Sequence, residues 1–351
     1  MLNKNQSATS NYYTKPDQLQ SFCNKVIPRM DDQDELFTIH TANTWLKQAN
    51  QRPVPKMLFG KFWFETELCI LFADSNLGKS ILAVQIANAI SIGQSMEPFI
   101  CEAAKQPVLY CDFELTDKQF EARYSVEYEN HYNFNEHFYR AELNPGSEIP
   151  KGFKDFDEYL SYALERSIVQ TKAKVLIIDN LTYLRSENER AKDALPLMKH
   201  LKALKNKYGL SILALAHTPK RDMGQEINRN DLQGSKMLMN FCDSAFTIGE
   251  SMMDKSLRYL KQIKQRNTDQ VYGTDNICVC SITKPDNFLQ YAFIEYGTEA
   301  DHLRKPKYDD GVDHTDEVVQ LRAEGLTLRD IAKKVGISYQ KVDRLLKKAA
   351  R

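Results

Sequence analysis

Three adjacent residues, Gly78, Lys79 and Ser80, close the segment Leu-Cys-Ile-Leu-Phe-Ala-Asp-Ser-Asn-Leu-Gly-Lys-Ser over residues 68–80. Their types and order suit the binding of a phosphate chain. Backbone N–H groups of a tight loop surround β- and γ-phosphates only where side-chain bulk is absent, here at Gly78. Lys79 supplies a cation for the phosphate oxygens, and Ser80 a hydroxyl for Mg²⁺. Ala73, Asp74, Ser75, Asn76, Leu77, Gly78, Lys79 and Ser80 therefore form a candidate cradle for a nucleoside triphosphate. Ala73 stands where such loops usually begin with glycine; alanine is the smallest substitute and fits wherever φ is negative. A fortuitous Gly-Lys-Ser on an ordinary strand-to-helix turn is the plainer alternative, and the arrival of strand, loop and helix in that order argues against it.

A phosphate loop needs an acidic partner for the metal, and Lys174-Val-Leu-Ile-Ile-Asp179 offers one at the end of an apolar run. Asp179 opposite Ser80 makes the candidate Mg²⁺ pair; the alternative is an aspartate that caps a turn. Hydrolysis also needs a group to orient or deprotonate water. Glu114 follows the apolar run Val108–Phe113 and is preferred for this over Asp112, two residues earlier, although Glu114 could also be a helix N-terminal carboxylate. His217 and Thr218 follow Leu210–Ala216, so His217 is a candidate γ-phosphate sensor or else a satisfied core histidine.

These side chains must converge, and the pattern around them supplies the scaffold. Leu68–Phe72, Val108–Phe113, Val175–Ile178, Leu210–Ala216 and Ala245–Ile248 read as strands. Helical periodicity fills Ser80–Ile92, Asp117–Glu127, Phe156–Gln170 and Ala191–Tyr208. Continuously apolar strands imply a sheet covered on both faces, hence an α/β class with a mainly parallel sheet. Leu257–Arg266, Ile277–Ile282 and Leu289–Glu295 have no helices between them and read as antiparallel additions. Residues 1–52 read as a flexible arm with an amphipathic patch at Leu36–Leu46 that could dock on a neighbour, residues 53–299 as the ATPase-type domain, 300–314 as a linker and 315–351 as a small all-α domain.

The 351 residues are 42% hydrophobic and carry no net charge, so any nucleic-acid binding must use local patches. The seven cysteines include no zinc-spaced set and read as reduced structural thiols. The polar N-terminal sequence is unlike a secretory signal and no apolar run is long enough to span a bilayer, so a cytoplasmic location without membrane contact is expected.

Over residues 53–296 the order of parts resembles the RecA-like ATPases, particularly the plasmid RepA-type and replicative hexameric helicase branch. The resemblance rests on the Ala-initiated phosphate loop, the Glu after the second strand, and the polar His after the strand that follows the metal-ligand strand. It implies ATP and Mg²⁺ as cofactors and a homo-oligomer, a hexameric ring being one form. It also matches Lys264 and Arg266 to a Lys-x-Arg element that reaches a neighbouring subunit's ATP site; an ordinary edge-strand pair is the alternative. Segments Leu181–Asp193 and Thr218–Ser235 correspond to nucleic-acid loops facing a pore. Their basic residues are offset by acidic ones, as in a solvated surface loop.

Residues 315–351 resemble the helix-turn-helix modules of resolvases and transcriptional regulators. Three short helices are expected, with Thr327 and Ser338 as caps, and nine Lys and Arg stand against five Asp and Glu after residue 314. Tyr339, Gln340, Lys341 and Arg344 are the candidate DNA contacts, with a protein-docking bundle as the alternative. The sequence thus points to a DNA-associated ATPase, a helicase or loader of a plasmid or mobile element. The competing readings are a nucleotide-switched DNA-binding regulator that unwinds nothing and, from the phosphate loop alone, a small-molecule kinase.

Overall fold

The computed structural model describes residues 37–144, 146–181, 194–219, 221–232, 235–304, 313–337 and 339–349. The chain divides between Val54 and Pro55 into two compact units. In the first, helix α1 (Ala42–Asn50) starts where the Thr41 hydroxyl accepts the Thr44 N–H at 3.2 Å. None of its residues is buried, and Phe37, Ile39, Trp45 and Leu46 are exposed.

The second unit begins with a hairpin of β1 (Met57–Phe59) and β2 (Trp63–Phe64), then β3 (Leu68–Ala73) and α2 (Lys79–Ile92). There follow β4 (Val108–Asp112), α3 (Asp117–Arg123), a second hairpin of β5 (Ser125–Val126) and β6 (Asn130–His131), and β7 (Phe138–Ala141). Next come α4 (Phe156–Thr171), β8 (Val175–Asp179), α5 (Ala194–Tyr208), β9 (Ser211–His217), α6 (Ser235–Phe241) and β10 (Ser244–Glu250). Strands β11 (Leu257–Lys264), β12 (Ile277–Thr283) and β13 (Gln290–Gly297) and the short α7 (Glu299–His302) complete this part.

Nine strands form one sheet in the order β13-β12-β11-β10-β3-β9-β8-β4-β7. The neighbours from β10 through β3, β9, β8 and β4 to β7 are parallel, and β11, β12 and β13 add antiparallel to β10. A phosphate-loop strand in the middle of such a sheet has both faces covered, and β3 divides its side chains by the period of two. Cys69, Leu71 and Ala73 join the core under α2 and the first hairpin, whereas Leu68, Ile70 and Phe72 join the core under α4, α5 and α6. Helix α2 is buried almost all round, so it has no polar face to show water.

The sheet departs from the sequence expectation in two places. β7 is a further parallel strand, paired with β4, whose Phe-Tyr-Arg-Ala lacks the apolar run that marks the others. The helix expected over Asp117–Glu127 stops at Arg123, because Glu127 and Tyr128 take positive φ in the turn of the second hairpin.

Toward the C-terminus, α8 (Thr315–Ala323), α9 (Leu328–Val335) and α10 (Tyr339–Ala349) pack around Val318, Leu321, Ile331 and Val342. Thr327 caps α9 as expected, accepting the Asp330 N–H at 3.3 Å, and Gly336 ends that helix with φ +74°. Among the described residues no helix is long and apolar enough to cross a membrane.

Candidate active site

Parallel pairing brings the candidate residues to one edge. Ala73 of β3 pairs with His217 of β9, and Asp112 of β4 with Asp179 of β8, so the phosphate loop, the candidate sensor and the acidic groups leave the sheet side by side. Strand β4 is not the neighbour of β3; β9 and β8 lie between them. Glu114 returns toward the loop because it lies beyond the strand end, in a turn of defined geometry.

Asp112 builds that turn. Its Oδ1 accepts the N–H groups of Glu114 and Leu115 at 3.2 and 3.0 Å, and its Oδ2 accepts Arg140 Nε of β7 at 2.9 Å. Arg140 also donates to the Leu115 carbonyl at 2.8 Å and stacks 4.6 Å from the Phe120 ring. Asp112 is thus spent on backbone, and Glu114 is the carboxylate left facing the site. Arg140 had no signal in the sequence, since its partner lies 28 residues away.

The phosphate loop is closed around its own lysine. Lys79 is buried, and its Nζ donates to the carbonyls of Ala73 and Asp74 at 3.0 Å each, with His217 Nδ1 at 3.3 Å. Burial lowers its pKa from the usual lysine value, while Asp179, Glu114 and Asp74 pull it back up. Gly78 has φ +87°, and a Cβ there would lie 2.8 Å from Ile282 Cδ1 and 3.0 Å from the Tyr291 hydroxyl. The positive φ favours glycine, and any side chain would also have to displace the tips of Ile282 and Tyr291. Ala73, in contrast, has no positive φ, so the loop tolerates its first-position alanine.

A buried acid lies beside the loop. Asp179 is fully buried; Tyr110 O–H donates to its Oδ2 at 2.6 Å, and the Ser80 side chain lies close enough to favour its charged form. Its Oδ1 has no partner. A buried carboxylate oxygen without a donor, next to the loop serine, fits a cation site. Burial pushes the Asp179 carboxyl up to about 6, opposed by the hydroxyls of Ser80 and Tyr110. In metal-free protein the folded chain thus holds a proton on Asp179 between about pH 4 and 6 that the unfolded chain has released, so stability falls as pH rises through that window. The effect is at most roughly 3 kcal/mol, and Asp179→Asn should remove it. Urea unfolding of both proteins in chelator at pH 3.5 and 7 measures the difference, and parallel pH profiles would refute the assignment.

Between loop and carboxylate lies a three-residue relay. His217 lies between them, its Nδ1 facing the Lys79 ammonium and its Nε2 3.4 Å from Glu114 Oε1. Asn180 is 3% exposed and also donates to Glu114 Oε1, from an amide nitrogen 3.0 Å from His217 Nε2. His217 first, and then Lys79 and Asn180, hold the Glu114 carboxyl below its ordinary value against the opposing effect of partial burial. Asn180, immediately after the predicted metal ligand, was readable as a candidate from position alone but lacks a titratable group to flag it.

Lys264 and Arg266 lie elsewhere. Lys264 pairs with Ala245 at the start of β10, at the opposite edge of the sheet from Ala73. Its ammonium donates to the Met239 carbonyl and, at 2.7 Å, to the Cys242 carbonyl, where it caps α6. Arg266 is half-exposed and bonds Asp243 Oδ1 at 3.2 Å. The segment after β9 is also less free than a flexible loop. Buried Glu299 accepts the Ile227 N–H at 2.8 Å and the Lys261 ammonium, and Arg304 N–H reaches the Met223 carbonyl at 2.9 Å. Arg221 of this segment shares a small recess of about 40 Å³ with Asp74 and Ser75. Of the other expected loop, residues 182–193 lie outside the described residues, as do the side chains of Tyr339 and Gln340. Lys341 is half-buried and Arg344 exposed on α10.

No curated protein matches the sequence. A family model described as an AAA domain matches residues 35–223, starting inside the segment read as an arm and ending before β10. That match takes in the phosphate loop, Glu114, Asp179, Asn180 and His217 and spans more than half of the 351 residues, so the chain belongs to the AAA domain family of P-loop, RecA-like ATPases.

Proposed function

We propose that the chain is a DNA-associated ATPase that couples ATP binding and hydrolysis to action on DNA as a homo-oligomer. The observation that carries the ATPase reading is the convergence of Lys79, Asp179, Asn180, His217 and Glu114 at one sheet edge. Ser80 and Asp179 would hold Mg²⁺, which when bound neutralises phosphate charge. Lys79 and the loop N–H groups bind the phosphates. Glu114 and Asn180 orient the attacking water, and His217 links that carboxylate to Lys79, so the arrival of a phosphate at Lys79 is felt at the water site.

The DNA reading rests on the C-terminal helices, with nine cations against five anions and Arg344 exposed on the last of them. Lys341 and Arg344 then serve as groove or phosphate contacts together with Tyr339 and Gln340. The oligomer reading rests on Lys264 and Arg266, which lie too far round the sheet to serve their own site and act, if on ATP at all, in a neighbour's. The pinned segment after β9 favours the second reading, a nucleotide-switched DNA-binding regulator without unwinding.

The test is ATP turnover with and without duplex and forked DNA, beside salt-dependent DNA affinity of Lys341→Ala/Arg344→Ala. Loss of two phosphate contacts should lower the slope of log affinity against log salt by about 2 and leave DNA-free turnover unchanged. An unchanged slope rejects the C-terminal assignment. Fork unwinding selects a helicase, and duplex binding without unwinding selects the regulator.

A further inference from the structure

The turn that carries Glu114 has two supports. One is backbone: the Phe113 N–H donates to the Asp179 carbonyl at 2.9 Å. The other is the Asp112 side chain, whose Oδ1 holds the N–H groups of Glu114 and Leu115. That second support depends on charge. The Asp112 side chain has no exposed surface and is paired in register with Asp179, a second buried carboxyl. A buried carboxylate keeps its charge, and with it its strength as an acceptor, only where a cation and further hydrogen bonds compensate the loss of water.

Arg140, 18% exposed on the edge strand β7, supplies that compensation. Its Nε donates to Asp112 Oδ2 at 2.9 Å, its Nη2 to the Leu115 carbonyl at 2.8 Å and its Nη1 to Glu142, while the guanidinium lies 4.6 Å from the centre of the Phe120 ring on α3. Both backbone groups of Leu115, the residue after Glu114, therefore end on one ion pair. A planar fork can meet a carboxylate, a carbonyl and a ring at once, which a single ammonium cannot. Among the described residues the bonds of Arg140 go to this turn and to Glu142, and none to the phosphate loop.

We propose that Arg140 is a positioning residue for hydrolysis: through Asp112 and the Leu115 carbonyl it sets where the Glu114 backbone lies, and so where the carboxylate meets the attacking water. This rests on the reading of Glu114 as the group that orients water. His217 and Asn180 hold the tip of that side chain, and Arg140 holds its base from a strand two places removed from β9. Catalysis tolerates little error in such a position, since a displacement of about 1 Å can cost about 10²-fold in rate.

The experiment is a double-mutant cycle on the full chain, read by single-turnover ATP hydrolysis and by ATP affinity. Arg140→Ala should lower the rate of the chemical step by about 10²-fold and leave the dissociation constant for ATP within about threefold of wild type. In the Glu114→Gln background the same substitution should cost less than about threefold, because a residue that acts through a carboxylate has nothing to act on once its charge is gone. A purely structural role would give the same loss in both backgrounds. Arg140→Lys, which keeps a cation beside Asp112 but cannot also reach the Leu115 carbonyl, should recover about tenfold of the loss; run through the same cycle, it decides the question if Arg140→Ala does not fold. A wild-type rate in Arg140→Ala, a further loss of about tenfold or more in the Glu114→Gln background, or a loss carried by ATP affinity would each overturn the proposal alone. Turnover of Glu114→Gln at the wild-type rate would overturn it together with the reading on which it rests.

Discussion

Lys79→Ala is expected to lose ATP turnover by about 10³-fold or more, because the cation buried inside the phosphate loop is removed. The structure separates this loss from simple unfolding. Burial already disfavours the Lys79 ammonium, and its bonds to the Ala73 and Asp74 carbonyls and to His217 only offset that cost. Replacement by alanine takes a desolvated charge out of the interior, so the melting temperature without nucleotide should stay near that of wild type. A ligand at 100 times its dissociation constant adds about 2.7 kcal/mol to stability, and the variant should forfeit that increment. Thermal unfolding with and without ATP and Mg²⁺, beside steady-state turnover, reads both effects. Unchanged hydrolysis in the variant would remove the phosphate loop from the mechanism.

The parts of this site that the sequence exposed are those whose chemistry is local. Gly78, Lys79 and Ser80 work as a run, and β3 and α2 on either side are long, apolar and complete. Asp179 and His217 end strands of the same kind. What stayed hidden depends on contacts between distant segments. β7 is a half-buried edge strand whose register with β4 is needed to bring Arg140 to Asp112. The choice between Asp112 and Glu114 could not be closed from spacing, because it turns on which carboxylate the backbone consumes. Helix α6, seven residues long and following a polar segment, went unseen, and with it the Met239 and Cys242 carbonyls that engage Lys264. Tyr291, more than 200 residues from the loop, packs against Gly78 and bonds the Leu77 carbonyl, a contact that spacing alone does not reveal. The AAA domain match ends at residue 223, whereas the sheet that holds the loop continues through β13, so Ile282 and Tyr291, which pack on Gly78 and Leu77, come from beyond the match.

Glu114→Gln should reduce kcat by about 10²–10³-fold with little change in ATP affinity. The carboxylate is held below its ordinary pKa chiefly by the His217 hydrogen bond, which keeps it ionised and makes it a weak base at neutral pH. Its action is therefore to fix a water and stabilise the charge that water develops, more than to carry a proton away in the ground state. Glutamine keeps an oxygen that can accept from Asn180 and His217, so the fold of the turn, set by Asp112 and Arg140, survives; what it loses is the negative charge. Two features of the outcome discriminate this from a structural role. The dissociation constant for ATP should remain within about threefold of wild type, as expected when only a transition-state interaction is removed. Asn180→Ala, which leaves the charge but frees the carboxylate to rotate, should cost kcat about tenfold, less than Glu114→Gln, because orientation is impaired while the charge remains. Single-turnover hydrolysis with bound ATP measures the chemical step directly. If Glu114→Gln turns over at the wild-type rate, the water-positioning role belongs to another group.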